Sequence, residues 1–167
     1  KTCYTGEGVI LGVIDWGLDL THPAFKGEDG NSRIDRVWIQ DSSGTPPGGF
    51  SYGAEYRGDA ICSQRYTSTN YHGTHVTGIA AGRGVGASLQ YQGVAPKARI
   101  VFVELGDDET KLADAVKYIF DYADSVNMPA VINLSLGLQY GPHDGTSYVD
   151  RIIDSLSGPG KIIVGSV

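Results

Sequence analysis

Two residues with complementary acid–base chemistry stand out, His72 and Asp15. His72 opens the run His72-Gly73-Thr74-His75-Val76-Thr77-Gly78-Ile79-Ala80-Ala81-Gly82. Gly, Ala and Thr let neighbouring backbones approach closely, so this run predicts a tightly packed, buried helix. Imidazole is the one side chain whose ordinary pKa, about 6.5, lets it take up and return a proton near neutrality. An imidazole at the mouth of such a helix suits a general base, which needs a carboxylate to orient it and a nucleophile to serve. Asp15 closes the apolar run 9–14 and precedes Trp16-Gly17. The carboxyl end of a buried strand is where open α/β sheets place functional groups. Alone, the position serves an Asx turn or a helix cap equally well. A second chemistry would use the same residues. His72 and His75 stand at i, i+3 on one helix face, and Asp15 would complete a two-His, one-carboxylate metal set. The stretch lacks the embedded Glu of the usual zinc-protease helix.

His72 and Asp15 are 57 positions apart, so only a folded sheet can bring them together. Residues 8–14 are apolar on both faces, as in a parallel strand covered on two sides. The His helix spans about 72–82. Arg99 to Val103 forms a second core strand and Ala130 to Leu134 a third. Between them Leu112, Ala115, Val116, Ile119 and Ala123 recur at helical spacing, one apolar face turned to the core. Asp107-Asp108-Glu109 places negative charge where the helix macrodipole favours it. A further helix is predicted over 146–156 and a last strand over 161–164. This alternation predicts an α/β fold, a doubly wound parallel sheet in three layers with right-handed crossovers.

Residues 26–67 depart from that rhythm. Residues 33–41 alternate polar and apolar, predicting a half-exposed strand. Residues 42–49 are a loop by composition. Weaker strand candidates lie at 50–56 and 61–66. The whole region reads as an inserted hairpin beside the site. Asp19 is expected to hold its own turn by local hydrogen bonds, and His22 and His143 to be turn and loop residues. His75 reads as a satisfied core histidine, and Asn133 as the cap of a strand end.

Composition narrows the function classes. The chain has 167 residues, a length expected of one domain. A hydrophobic fraction of 41% is enough for a core, and no apolar run approaches the length of a membrane span. The net charge of −6 speaks against nucleic-acid binding, which wants a basic stripe. No membrane partner is expected. With no initiator Met and no signal sequence, Lys1 is expected to follow a trimmed leader or an artificial boundary. Cys3 and Cys62 could pair in an oxidising compartment or remain thiols.

Three longer phrases extend the acid–base pair. Val13-Ile14-Asp15-Trp16-Gly17-Leu18-Asp19, with His22-Pro23 after it, resembles the catalytic-Asp motif of the subtilisin-like serine proteases, the subtilases. His72-Gly73-Thr74-His75-Val76-Thr77-Gly78 resembles their catalytic-His motif, and Val131-Ile132-Asn133-Leu134-Ser135-Leu136-Gly137 their substrate-cleft segment. The order agrees with the Asp, His, Ser order of that family. The resemblance implies a serine endopeptidase in which Asp15 orients His72 and His72 is the base. Ser135, Leu136 and Gly137 would line the pocket for the residue before the scissile bond, with the segment at Gly106 as the opposite wall. The partner would be a polypeptide substrate, and the location extracellular or in the cell envelope. No cofactor or catalytic metal is implied. Calcium is a family habit, but Ala24 stands where some members have a carboxylate ligand.

The family's Gly-Thr-Ser-Met-Ala-x-Pro nucleophile motif is absent, as is its Gly-Asn oxyanion motif. Residues 1–167 are therefore expected to be the N-terminal part of a peptidase domain, truncated before its C-terminal part and inactive alone, with an exposed sheet edge prone to self-association. Gly145-Thr146-Ser147 copies three letters of the nucleophile motif only 12 positions after Ser135. Without the small residue and Pro that should follow, Thr146 or Ser147 reads as a helix N-cap. The rival function is a non-catalytic binding module on a protease-like fold, or the His72, His75 and Asp15 metal site.

Overall fold

The computed structural model describes residues 4–85, 91–108, 110–137 and 141–166. Cys3 and Glu109 lie outside them, so the pairing of Cys3 with the exposed Cys62 does too. In chain order the elements are β1 (Ile10–Asp15), a short 3-10 turn (Pro23–Phe25), β2 (Ile34–Ile39), β3 (Ala54–Arg57), α1 (Asp59–Ser63) and α2 (His72–Ala81). They continue with β4 (Arg99–Glu104), α3 (Thr110–Ser125), β5 (Ala130–Leu134), α4 (Tyr148–Leu156) and β6 (Lys161–Gly165). The strands form one sheet in the order β3-β2-β4-β1-β5-β6, parallel except for the β2–β3 pair.

The two faces of this sheet carry separate cores, because successive side chains of a strand point opposite ways. Ile10 and Ile14 of β1 join Val101 and Val103 of β4 beneath α3. Leu11 and Val13 of β1 join Ile100 and Phe102 of β4 on the other face, with Ala81 and Val76 of α2. The predicted α3 stripe is the buried one, with Ala115, Val116, Ile119 and Ala123 fully enclosed. The doubly wound, three-layer α/β sheet is the observed fold.

The region 26–67 contains a hairpin, but β2 is not half-exposed. It lies inside the sheet between β3 and β4, with Ile34, Val37, Trp38 and Ile39 buried. Its polar residues misled the pattern because their charges are satisfied by neighbours: Arg36 pairs with Glu55 at 2.8 Å and Asp35 with Arg99 at 2.6 Å. Residues 59–63 form the one-turn helix α1 rather than a strand. Ser147 caps α4, its Oγ accepting from the Asp150 N–H at 3.1 Å. At the far edge, Ile162 and Val164 of β6 are 54% and 51% exposed.

Glu55 is the hub that joins β2, β3 and α3. It accepts hydrogen bonds from Arg36, from the Tyr118 hydroxyl at 2.7 Å and from Arg57. Desolvation pushes its pKa up, but the hydrogen bonds from Arg57, Arg36 and Tyr118 outweigh it and hold the carboxyl below the ordinary glutamate value of 4.5. A carboxyl whose pKa is lower in the folded state stabilises the fold above its unfolded value. That stabilisation is lost as pH falls through the folded value. Glu55→Gln should cost about 2 kcal/mol at neutral pH. Urea titrations at stepped pH should show the gap to wild type closing once the pH passes below 4.5. A pH-independent gap would contradict the charge assignment.

Candidate active site

Asp15 ends the central strand with its side chain on the α2 side of the sheet. His72 is the first residue of α2, directly above it. His72 Nδ1 lies 2.6 Å from Asp15 Oδ1, and the same oxygen accepts the Trp16 N–H at 2.6 Å. An ionised carboxylate only accepts, so Nδ1 carries the proton and Nε2 presents a lone pair. The carboxylate is fully buried, whereas the imidazole is 48% exposed. Among the described residues nothing bonds to Nε2. The ring is therefore anchored on its inner edge and free on its outer edge. The positive end of the α2 dipole lies close to the buried charge and favours it.

The registration of α2 over β1 is set by backbone contacts. The Gly73 N–H donates to Trp16 O at 2.7 Å and the Thr74 N–H to Gly17 O at 2.8 Å. The Thr74 hydroxyl accepts the Asp19 N–H at 2.8 Å. Such proximity needs residues without side chains. A Cβ on Gly17 would lie 1.7 Å from Asn70 O, and one on Gly73 would lie 2.9 Å from the Phe102 ring. At its other end α2 is fixed by Arg33, which donates to Ala81 O at 2.5 Å, Ala24 O at 2.9 Å and Ala98 O at 2.8 Å. Desolvation lowers the pKa of this guanidinium, which stays charged at any ordinary pH.

The two predicted cleft segments flank Asp15. β4 and β5 are the neighbours of β1 on either side, so Gly106 follows one and Ser135-Leu136-Gly137 the other at the same end of the sheet. Gln40 braces the first wall: its Oε1 accepts the Gly106 N–H at 3.0 Å and its Nε2 donates to Lys111 O at 2.8 Å. Asp41 accepts the Asp107 N–H at 3.0 Å and pairs with Lys111, which holds its carboxyl below the usual carboxylate range. On the second wall, Asn133 Nδ2 donates to Ser135 Oγ at 2.9 Å, and the Ser166 hydroxyl donates to Leu136 O at 2.8 Å.

Other sequence-singled residues sort by position. Asp19 Oδ1 accepts the Thr21 N–H at 2.9 Å and its hydroxyl at 2.8 Å, a local turn as expected. His22 Nδ1 accepts the Ala24 N–H at 3.2 Å. His75 is not a core residue. It is exposed and lines an outer groove with His22, Phe25, Tyr71, Ile79 and Val94. The helix turns it away because α2 buries only Gly73, Thr77 and Ala81. Among the described residues no group of three His, Cys, Asp or Glu is placed to hold a metal ion. Two polar residues escaped the sequence reading. Glu104, buried at the end of β4, pairs in register with Asp15. Thr67 bonds to it. The available signal was a charged residue closing an apolar strand, the same signal that marked Asp15.

Comparison with known proteins gives the family and the fold. A profile described as the Subtilase family matches residues 6–167. A subtilisin of Bacillus sp. (strain TA39) is 31% identical over 137 residues, covering 79% of this chain and 28% of that protein. The minor extracellular protease Vpr of Bacillus subtilis (strain 168) is 31% identical over 144 residues, covering 80% of this chain and 14% of that protein. The structure of the Clostridium perfringens CspB protease has a TM-score of 0.82 at 29% identity, over 97% of this chain and 36% of that one. The chain thus spans well under half the length of these relatives. Among the described residues no helix is long and apolar enough to cross a membrane.

Proposed function

The chain belongs to the subtilase family, and from that premise we propose that it supplies the acid and base of a serine endopeptidase, Asp15 and His72. The observation that carries this reading is the 2.6 Å contact between His72 Nδ1 and the buried Asp15 Oδ1. In the complete enzyme His72 Nε2 takes the proton of a serine hydroxyl as the serine oxygen bonds to the scissile carbonyl carbon. It then gives that proton to the departing amine as the C–N bond breaks. Water, activated by the same imidazole, releases the acyl group. Asp15 holds the Nδ1–H tautomer throughout and stabilises the imidazolium. Ser135-Leu136-Gly137 and the Gly106 segment receive an extended polypeptide between them, paired to their main chain as an added strand. This chemistry needs no cofactor. The name of the extracellular relative Vpr supports export of the whole protein.

Residues 1–167 are proposed to be the N-terminal part of the peptidase domain, with the serine elsewhere in the enzyme. Ser147 is not a substitute, since its Oγ caps α4. Without a nucleophile the chain should turn over peptides about 10⁶-fold more slowly than a complete enzyme. A fluorophosphonate probe and a chromogenic peptide test this. No covalent adduct and no inhibitor-sensitive turnover are expected from residues 1–167. An adduct on Ser147 would overturn the assignment.

A further inference from the structure

Glu104 is a buried carboxylate that the proton relay does not use. It is the last residue of β4, in register with Asp15, and 8% exposed. Burying a carboxylate is costly unless donors satisfy it. An apolar residue would end this strand more cheaply, so the charge needs a task. Its Oε2 accepts the Gly17 N–H at 2.7 Å and the Thr67 hydroxyl. That hydroxyl accepts the Leu18 N–H at 2.8 Å, and the Thr67 N–H donates to Leu18 O at 3.1 Å. Glu104 and Thr67 thus clamp consecutive peptides of the turn after Asp15. The carbonyls of Trp16 and Gly17 in that turn receive the Gly73 and Thr74 N–H groups of α2.

We infer that Glu104 is a positioning residue for the Asp15–His72 pair, acting through Thr67 and the Gly17 peptide. The inference rests on the relay reading above. With the clamp in place, the turn fixes both the Trp16 N–H that binds Asp15 and the carbonyls that seat the helix carrying His72. Without it, the Gly17 N–H loses its side-chain acceptor among the described residues and Thr67 loses its anchor, and the two members of the pair drift apart. The geometry needs an acceptor at Glu104 and a hydroxyl at 67, so conservative replacements that keep those functions should restore the pair.

The readout is the proton NMR resonance of the His72 Nδ1–H held against Asp15, recorded at low temperature on the complete protein, with circular dichroism melts alongside. Wild type should show the strongly downfield signal of a charge-assisted hydrogen bond. Glu104→Ala and Thr67→Val should lose it, while Glu104→Gln and Thr67→Ser should keep it. A merely structural role would lower the melting temperature and leave the resonance in place. If Glu104→Ala fails to fold, Thr67→Val against Thr67→Ser decides the question. Folded variants that retain the signal unchanged would overturn the inference alone. A wild type without the signal would overturn the relay reading and the inference with it.

Discussion

Asp15→Asn in the complete enzyme should lower kcat by about 10⁴-fold with KM little changed. The side chain is fully buried beneath the ring and touches no substrate surface, so binding has no reason to suffer. Its oxygen accepts two donors, Trp16 N–H and His72 Nδ1–H. An amide of the same shape can keep its oxygen on both donors but carries no charge to stabilise an imidazolium. It can also turn its NH₂ toward the ring and select the wrong tautomer. Four decades in rate correspond to about 5.4 kcal/mol of transition-state stabilisation. Initial-rate kinetics with a peptide substrate, beside a melt showing the fold intact, measures the effect. A variant within tenfold of wild type would remove Asp15 from the mechanism.

The second large effect is expected from Gly17→Ala. Gly17 has φ of +75°, where an L side chain is already strained. Its new methyl would sit 1.7 Å from Asn70 O, a backbone atom that no rotamer change can move aside. Asn70 also holds His72, since its Oδ1 accepts the His72 N–H at 2.9 Å. The segment leading into α2 must swing outward, which breaks the bonds that register the helix. Unfolding in urea should show a loss of more than about 4 kcal/mol, at the far end of single-substitution effects. The downfield Nδ1–H signal should vanish in whatever remains folded. A loss under about 1 kcal/mol would mean the turn is plastic and the interlock argument wrong.

Much of the fold around the candidate site was readable because its elements obey simple rules. β1 and β4 are buried on both faces, so they appear as apolar runs closed by Asp15 and Glu104. α3 shows a clean helical stripe because one side meets the sheet. β2 was misread because ion pairing lets Asp35 and Arg36 sit within a sheet, and a polarity pattern cannot see partners 19 or 64 positions away. α1 was misread because five residues carry too little periodicity to separate helix from strand. His75 was misread because a helix rich in small residues need not be buried all round. The role of Glu104 depends on which strand lies beside β1, and that order is a property of topology alone.

That same order bears on how the protein is made. β1 is synthesised first, yet its strand neighbours are β4 and β5, so its ladder cannot begin until residues 99–104 have left the ribosome and is not flanked on both sides until 130–134 follow. At roughly 5–20 residues per second, that is a wait of several seconds to tens of seconds. A nascent chain therefore cannot assemble its acid–base pair on a supported strand early in translation. The Asp15–His72 contact is thus a late product of the order in which the strands are made.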